Sequence, residues 1–302
     1  MFDIIVIGGG PAGLTAALYA RRQNKSVLVM EKNSFGGQTV FSPKIENYPG
    51  FLEMSGMEFS DKLVEQVLAQ GAELEMEEAL SIKENTDGTL TVLTESSEFL
   101  AHTVILACGA KHRMLGLEGE GDLVGDGISF CAVCDGAFYK DKTVAVIGGG
   151  NSALQEATLL SDICRQVYIV QNLPYLTGED KLIEGLKERS NVTVLLNTFV
   201  TDLLTKDAFT GIRVKNASDE TESELMLDGM FVAIGLIPDN DVAGSLIELD
   251  ERGYVRSGES CTTNLPNVFV AGDCRTKSIR QIATAIADGA TAALAACRYI
   301  DK

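Results

Sequence analysis

A chain of 302 residues, 45% of them apolar, is long for one domain and comfortable for two, and no stretch of it is low-complexity. Lys and Arg number 25 against 43 Asp and Glu, a net charge of -18 with no basic cluster to offset it. That balance excludes the usual profile of a nucleic-acid or anionic-membrane binder, and no uninterrupted apolar run approaches the roughly 18 residues that span a bilayer.

The run Asp3–Ile7 is apolar and β-branched, as a buried parallel strand requires. Asp3 and the glycines after it are wrong for a secretory leader, so the expectation is a soluble, cytoplasmic protein. Gly8-Gly9-Gly10-Pro11-Ala12-Gly13 follows, then an Ala-rich helix, Leu14–Arg22, and a second strand, Ser26–Met30, ending at Glu31 and Lys32. In such a unit Gly8 makes the tight turn, Gly10 lets the backbone approach a pyrophosphate, and Gly13 lets helix and strand pack closely. Pro11 suits the first helical turn, and Glu31 accepts from a ribose hydroxyl. A bare glycine fingerprint is weak evidence; strand, helix, second strand and acid together mark a dinucleotide site.

Two loops come next, one with Gly37 and Gln38 and one with Asn47. Glu58–Gln70 reads as an amphipathic helix. Segments 72–84 and 89–95 read as strands of a meander turning at Asp87-Gly88. Thr103–Ala107 is a buried strand that returns the chain, through Cys108 and Gly109, to the first fingerprint. A change of domain is expected near Met114.

Cys131-Ala132-Val133-Cys134-Asp135 sits near the middle of the chain. Seven cysteines are an odd number and only these two are close, which points to a reducing compartment rather than a disulfide framework. A zinc half-site would want a second pair, which is missing, and the chain has two histidines, His102 and His112. Inert core cysteines are the other reading. A redox dithiol explains the spacing better, with Asp135 as the base that each half-step of thiol exchange needs.

A second βαβ unit follows: Thr143–Ile147, the turn Gly148-Gly149-Gly150-Asn151-Ser152-Ala153, a helix Ser152–Leu160 and a strand Gln166–Val170. That strand ends in Gln171-Asn172-Leu173-Pro174, with neither an acid for a 2′-hydroxyl nor an arginine for a 2′-phosphate. The unit is an internal duplication with one half altered. Strands are expected at 192–197, 211–215 and 230–235, with a polar turn over 216–224. A further strand, Val268–Ala271, leads to Gly272-Asp273, and a small-residue helix is expected over Ser278–Tyr299.

GGGPAG (8–13), GGQ (36–38), ENYPG (46–50), CAVCDG (131–136), VAVIGGGNSA (144–153), FVAIG (231–235), AGD (271–273) and RQ (280–281) stand in an order and spacing specific as a set. Together they resemble the low-molecular-weight thioredoxin reductases, over about residues 3 to 300. The resemblance implies an α/β fold of two Rossmann-like three-layer nucleotide-binding domains, the second inserted into the first. An FAD domain would take 1–113 and 241–302, and an inserted domain of pyridine-nucleotide type, carrying the dithiol, 114–240. It also implies a homodimer.

Carried over by position, Gly8, Gly10, Pro11, Ala12, Gly13, Glu31 and Lys32 would bind the ADP half of FAD, beside Ala107 and Gly109. Gly37, Gln38 and Asn47 would lie along the flavin, Gly272 and Asp273 at the ribitol, and Arg280, Gln281 and Ile282 at the isoalloxazine. Cys134 would face the flavin, Cys131 would attack a thioredoxin-like disulfide, and Asp135 would exchange the protons. Gly148, Gly150, Asn151, Ser152, Ala153 and Gln171 would form the second nucleotide site.

Members that use NADPH carry a His-Arg-Arg run and a later Arg where this chain has Gln171-Asn172-Leu173 and the neighbourhood of Thr177, and Gln155 replaces an expected glutamate. NADPH is therefore not the expected donor; NADH, ferredoxin or a second FAD stay open. The alternatives kept are an NAD(P)H-dependent thioredoxin reductase and, from another class, a flavin-bound redox sensor without turnover.

Overall fold

Alternation along the first strand, Phe2–Ile7, decides how the amino-terminal sheet is covered. Ile4 and Val6 point into one apolar cluster with the helix residues Leu14, Ala16 and Ala292, while Ile5 and Ile7 point into another with Leu90, Val92 and Val255. In the computed structural model, which describes residues 1–42, 45–206 and 208–302, the chain forms two units. One comprises Met1–Lys111 and Ile237–Lys302, the other His112–Leu236.

In the first unit the parallel strands run Glu73–Glu75, Val27–Met30, Phe2–Ile7 and Glu98–Leu106. The last of these is shared. Its second half pairs in parallel with Val268–Val270, and its first half pairs antiparallel with Leu90–Leu93, which pairs in turn with Ser81–Glu84. The helices Pro11–Arg22, Gly56–Ala69 and Ile282–Ile300 belong to this unit. Gly289 lets the closing helix approach the first: a Cβ there would lie 2.2 Å from the Ala12 carbonyl oxygen.

The second unit repeats the plan. Five parallel strands stand in the order Val192–Leu195, Gln166–Val170, Thr143–Ile147, Gly229–Val232, Ile128–Ser129. Ala157, Leu160 and Leu186 of the helices Asn151–Ser161 and Asp180–Lys187 pack on one face, and Ile212 and Val214 of a three-stranded antiparallel sheet on the other.

Several expectations need correcting. The strand Glu73–Glu75 is not part of the meander; it pairs in parallel with Val27–Met30, because its register continues the sheet edge. The polar turn expected over 216–224 is shorter, since Glu222–Met226 pairs with 211–215 although most of that strand is polar and exposed. The strand Thr198–Thr205 and the helix Asp180–Lys187 have no counterpart in the expectation. The closing helix starts at Ile282, because Gln281 is extended and caps it reciprocally with Thr284. The units divide at 111/112 and 236/237 rather than 113/114 and 240/241. Segment 237–240 is tied into the first unit: Asp239 meets Lys32 and Lys111, and the Asn240 amide donates to the carbonyls of Gly253 and Cys274, both at 2.8 Å. No change of composition announces those bonds.

Candidate active site

The first fingerprint is built by close backbone approach. Gly8 has φ +111° and donates to the Met30 carbonyl at 2.8 Å; a Cβ on it would sit 2.2 Å from the Ala107 oxygen. A Cβ on Gly13 would sit 1.8 Å from the Gly8 oxygen, so helix and strand touch through hydrogen atoms only. Gly10 caps the helix Pro11–Arg22 with no side-chain bond, and a Cβ on it would meet only Gly37 Cα, at 3.9 Å. The N-terminal N–H groups of this helix are thus left for an anion.

Glu31 is held by main-chain donors, Gly9 N–H at 2.8 Å and Asn33 N–H at 3.0 Å, one to each carboxylate oxygen. Lone pairs remain on both for a hydroxyl. A cavity of about 420 Å³ opens beside Gly8 and Glu31, lined also by Lys32, Cys108, Lys111 and Asp239. Lys32 bonds Asp239 at 2.8 Å and Glu78 at 3.2 Å, and these bonds, Asp239 first, hold its ammonium well above the usual lysine range despite some burial. Asp239, Lys111 and Glu78 were missed in the sequence because no local pattern links residues this far apart.

At the other end of the site Asn47 donates to the Gln281 side chain at 3.1 Å, joining two expected residues from opposite ends of the chain. Gly37 opens a short turn, Gly37–Phe41, with Gln38 exposed on it, and Ile282 packs against Ile45, Met54 and Phe59. Arg280 lies over the Tyr254 ring at 4.3 Å and donates to the Asp273 carbonyl at 3.3 Å. Asp273 is half-buried; burial raises its pKa, opposed by Lys277 and Arg280, and its buried Oδ1 has no partner among the described residues. An orphaned buried acceptor beside an open glycine cradle fits a polyhydroxylated dinucleotide such as FAD.

Ala107 is buried and donates to the Ile7 carbonyl at 2.7 Å, and Gly109, with φ +71°, faces open space. Gly272 donates to Asp288 Oδ2 at 3.1 Å, and Asp288 also receives Arg275 and Lys277, each as close as 2.8 Å. Burial works to raise the Asp288 pKa, but the bonds from Arg275 and Lys277 outweigh it and leave the carboxyl below 3.8. A carboxyl depressed in the fold stabilises it above the unfolded pKa, and that stability is lost as pH falls through the folded value. Thermal melts should therefore show Asp288→Asn destabilised by about 3 kcal/mol at neutral pH, from two cations left unpaired. The deficit should shrink below about pH 4.

In the inserted unit the second fingerprint repeats the first. Gly148 has φ +126°, donates to the Val170 carbonyl at 2.9 Å, and a Cβ on it would lie 2.5 Å from the Ala233 oxygen. Gly150 caps the helix Asn151–Ser161, Ser152 is exposed, and Ala153 is buried. Two features differ. Gln171, 5% exposed, packs under Gly149 and donates to the Tyr175 carbonyl at 3.4 Å. Asn151 is clasped to Glu179, accepting from its N–H at 2.7 Å and donating to its carboxylate at 3.0 Å. Residues 171–179 contain no lysine or arginine.

Cys131 and Cys134 are joined by a disulfide, with Cα atoms 5.3 Å apart. Cys131 caps the short helix Ala132–Asp135, its sulfur accepting from Cys134 N–H at 3.2 Å. Ser129 ties the strand before it to the acid after it, accepting from Cys131 N–H at 3.1 Å and donating to Asp135 Oδ2 at 2.6 Å. Burial raises the Asp135 pKa, opposed by that bond, and Asp135 Oδ1 is buried without a partner among the described residues. His112 stacks on Phe130, the residue before Cys131, with ring centroids 4.5 Å apart. Burial pushes it down to about 4, so it is neutral at physiological pH and a poor base there. Burial also pushes the five other thiols up, Cys164, Cys261 and Cys274 to about 11, which leaves them weak nucleophiles.

Residues 2–289 match the family model of the pyridine nucleotide-disulphide oxidoreductases. The chain is 38% identical over 295 residues to a thioredoxin reductase of Mycoplasma genitalium, covering 97% of this chain and 94% of that one. It is 39% identical over 305 residues to one of Listeria innocua, covering 100% and 95%. Among solved structures, a thioredoxin reductase from Streptococcus pyogenes superposes with a TM-score of 0.94 at 35% identity, covering 100% of this chain and 98% of that one.

Proposed function

The chain belongs to the low-molecular-weight thioredoxin reductases, within the pyridine nucleotide-disulphide oxidoreductase family, and from that premise we propose that it reduces a thioredoxin-like protein with electrons from a donor other than NADPH. The observation that carries the reaction is the disulfide itself, set at a helix start between a hydroxyl and a half-buried acid.

Gly8, Gly10, Gly13 and Glu31 would hold the ADP half of FAD, Asp273 its ribitol, and Asn47, Arg280, Gln281 and Ile282 its ring system. FAD, when bound, supplies a two-electron reductant for a disulfide. Cys134 is assigned as the sulfur nearer the flavin and Cys131 as the one that attacks the partner. Asp135 takes the proton released when a cysteine becomes the nucleophile and returns it to the leaving sulfur. Its raised pKa suits that exchange, because an ordinary carboxyl would hold a proton too weakly near neutrality.

The donor reading rests on residues 171–179. A 2′-phosphate carries about -1.5 to -2 charge and is normally bound by forked arginine contacts; this segment offers none. NADH, ferredoxin or a second FAD remain as donors, and the working unit would be a homodimer.

Photoreduced protein mixed anaerobically with thioredoxin should release two thiols per thioredoxin disulfide; flavin that stays reduced with no new thiol would overturn the reading. In a parallel titration NADPH should bleach the flavin far more weakly than one of the other donors. Efficient bleaching by NADPH would sink the donor half alone. Two flavins per chain in the purified protein would point to a second FAD.

A further inference from the structure

Asp135 is not alone behind the dithiol. The dithiol segment rests on the helix Asn151–Ser161: Ala132 shares a core cluster with Ala157 and Leu160, and a Cβ on Gly136 would lie 3.3 Å from a Leu160 methyl. Glu156 is one turn before Leu160 on that helix, on the same face. Its Oε2 is buried without a partner among the described residues, as is Oδ1 of Asp135. Two carboxyls each keep an unsatisfied oxygen in one apolar region, where two negative charges together are strongly disfavoured.

We propose that Asp135 and Glu156 act as one proton-sharing pair, with Glu156 as the positioning residue that keeps a proton so that Asp135 alone carries charge behind the cysteines. This rests on the assignment of Cys131, Cys134 and Asp135 made above. Burial first, and the charge of Asp135 second, push the Glu156 carboxyl up to about 8. The other groups facing the pair are the Ser129 hydroxyl, bonded to Asp135, and Tyr139, whose phenol burial pushes up to about 12. Neither exchanges a proton near neutrality. Asp126 and Asp228 act on Tyr139, not on the pair.

The exchange then balances. A Cys131 thiol gives its proton to Asp135, the resulting thiolate bonds one sulfur of the partner disulfide as that disulfide breaks, and the leaving sulfur takes the proton back. Cys134 passes its proton by the same route and attacks Cys131, re-forming the Cys131–Cys134 bond and freeing the second partner sulfur. Two electrons and two protons pass to the partner, and the carboxyl pair ends as it began. One negative charge is present throughout, first on Asp135 and then on sulfur; an ionised Glu156 would add a second.

The test uses the flavin-loaded protein, reduced, with iodoacetamide alkylation of the dithiol followed across pH. Wild type should show a second inflection near 8, where the ionising glutamate raises the thiol pKa. Glu156→Gln should lose that inflection and be alkylated severalfold faster than wild type on its alkaline side. A glutamine curve that overlays wild type would overturn the proposal. Infrared titration of the oxidised protein gives a readout independent of alkylation and of any partner. The carboxylic C=O band assigned by Glu156→Gln should persist at neutral pH in wild type, and Asp135→Asn should move its loss to lower pH. A band already absent at neutral pH, or unmoved by Asp135→Asn, would also overturn it. Disulfide reduction lost in Cys131→Ser but with no effect of Glu156→Gln would leave the proposed function standing and remove only the pair.

Discussion

Cys134→Ser should reduce protein disulfides slower than wild type by a factor on the order of a thousand or more, the scale of losing a catalytic nucleophile, while keeping its flavin. The residues proposed to hold FAD belong to the other unit, so cofactor content should not change. The variant separates the two sulfurs as well. With Cys131 left as the attacking thiol and no Cys134 to resolve it, a mixed disulfide with thioredoxin should accumulate and be visible by mass. Cys131→Ser should be as slow and trap nothing. Trapping in Cys131→Ser instead would reverse the assignment of the sulfurs, and thiol transfer in both would exclude the dithiol from the reaction.

Gly13→Ala and Gly10→Ala should fail in different ways, although both add one methyl group to the same turn. At Gly13 the methyl would lie 1.8 Å from the Gly8 oxygen, so the helix must move off its strand. Overpacking of that kind costs about 1–3 kcal/mol, and a lower melting temperature should accompany loss of flavin. At Gly10, with φ -78° and nothing nearer than Gly37 Cα at 3.9 Å, alanine fits the protein without strain. Its methyl would occupy the surface kept bare for a pyrophosphate. Gly10→Ala should therefore melt as wild type does and bind flavin much more weakly, read as absorbance per chain. Equal flavin content in Gly10→Ala and wild type would argue against a pyrophosphate at this turn.

Local rules made a good part of the molecule legible. The runs Asp3–Ile7 and Thr143–Ile147, each followed by glycines and a helix, mark both parallel sheets, because a strand covered on both faces must be apolar throughout. The Cys131/Cys134 spacing marks a dithiol, thiol-exchange chemistry and the resemblance both point to Asp135 as its base, and the structure sets the pair at a helix start. Less was legible where an element owes its form to its neighbours. Glu222–Met226 is a strand because 211–215 offers it hydrogen bonds, not because its mostly polar side chains favour one.

The resemblance implied that one nucleotide fold sits inside the other; by itself the sequence determined the two glycine fingerprints, the dithiol and the absence of arginines at Gln171-Asn172-Leu173. These are properties of residue type and spacing, which a chain carries whether folded or not. Tertiary structure alone decided that Asp239 and Lys111 line the cavity beside Glu31, that His112 is half-buried against Phe130, and that Glu156 and Asp135 each keep a buried carboxylate oxygen. Each of those depends on burial or on a partner far along the chain. Desolvation and pairing set the charge of an ionisable group, and both exist only once the chain has folded around it.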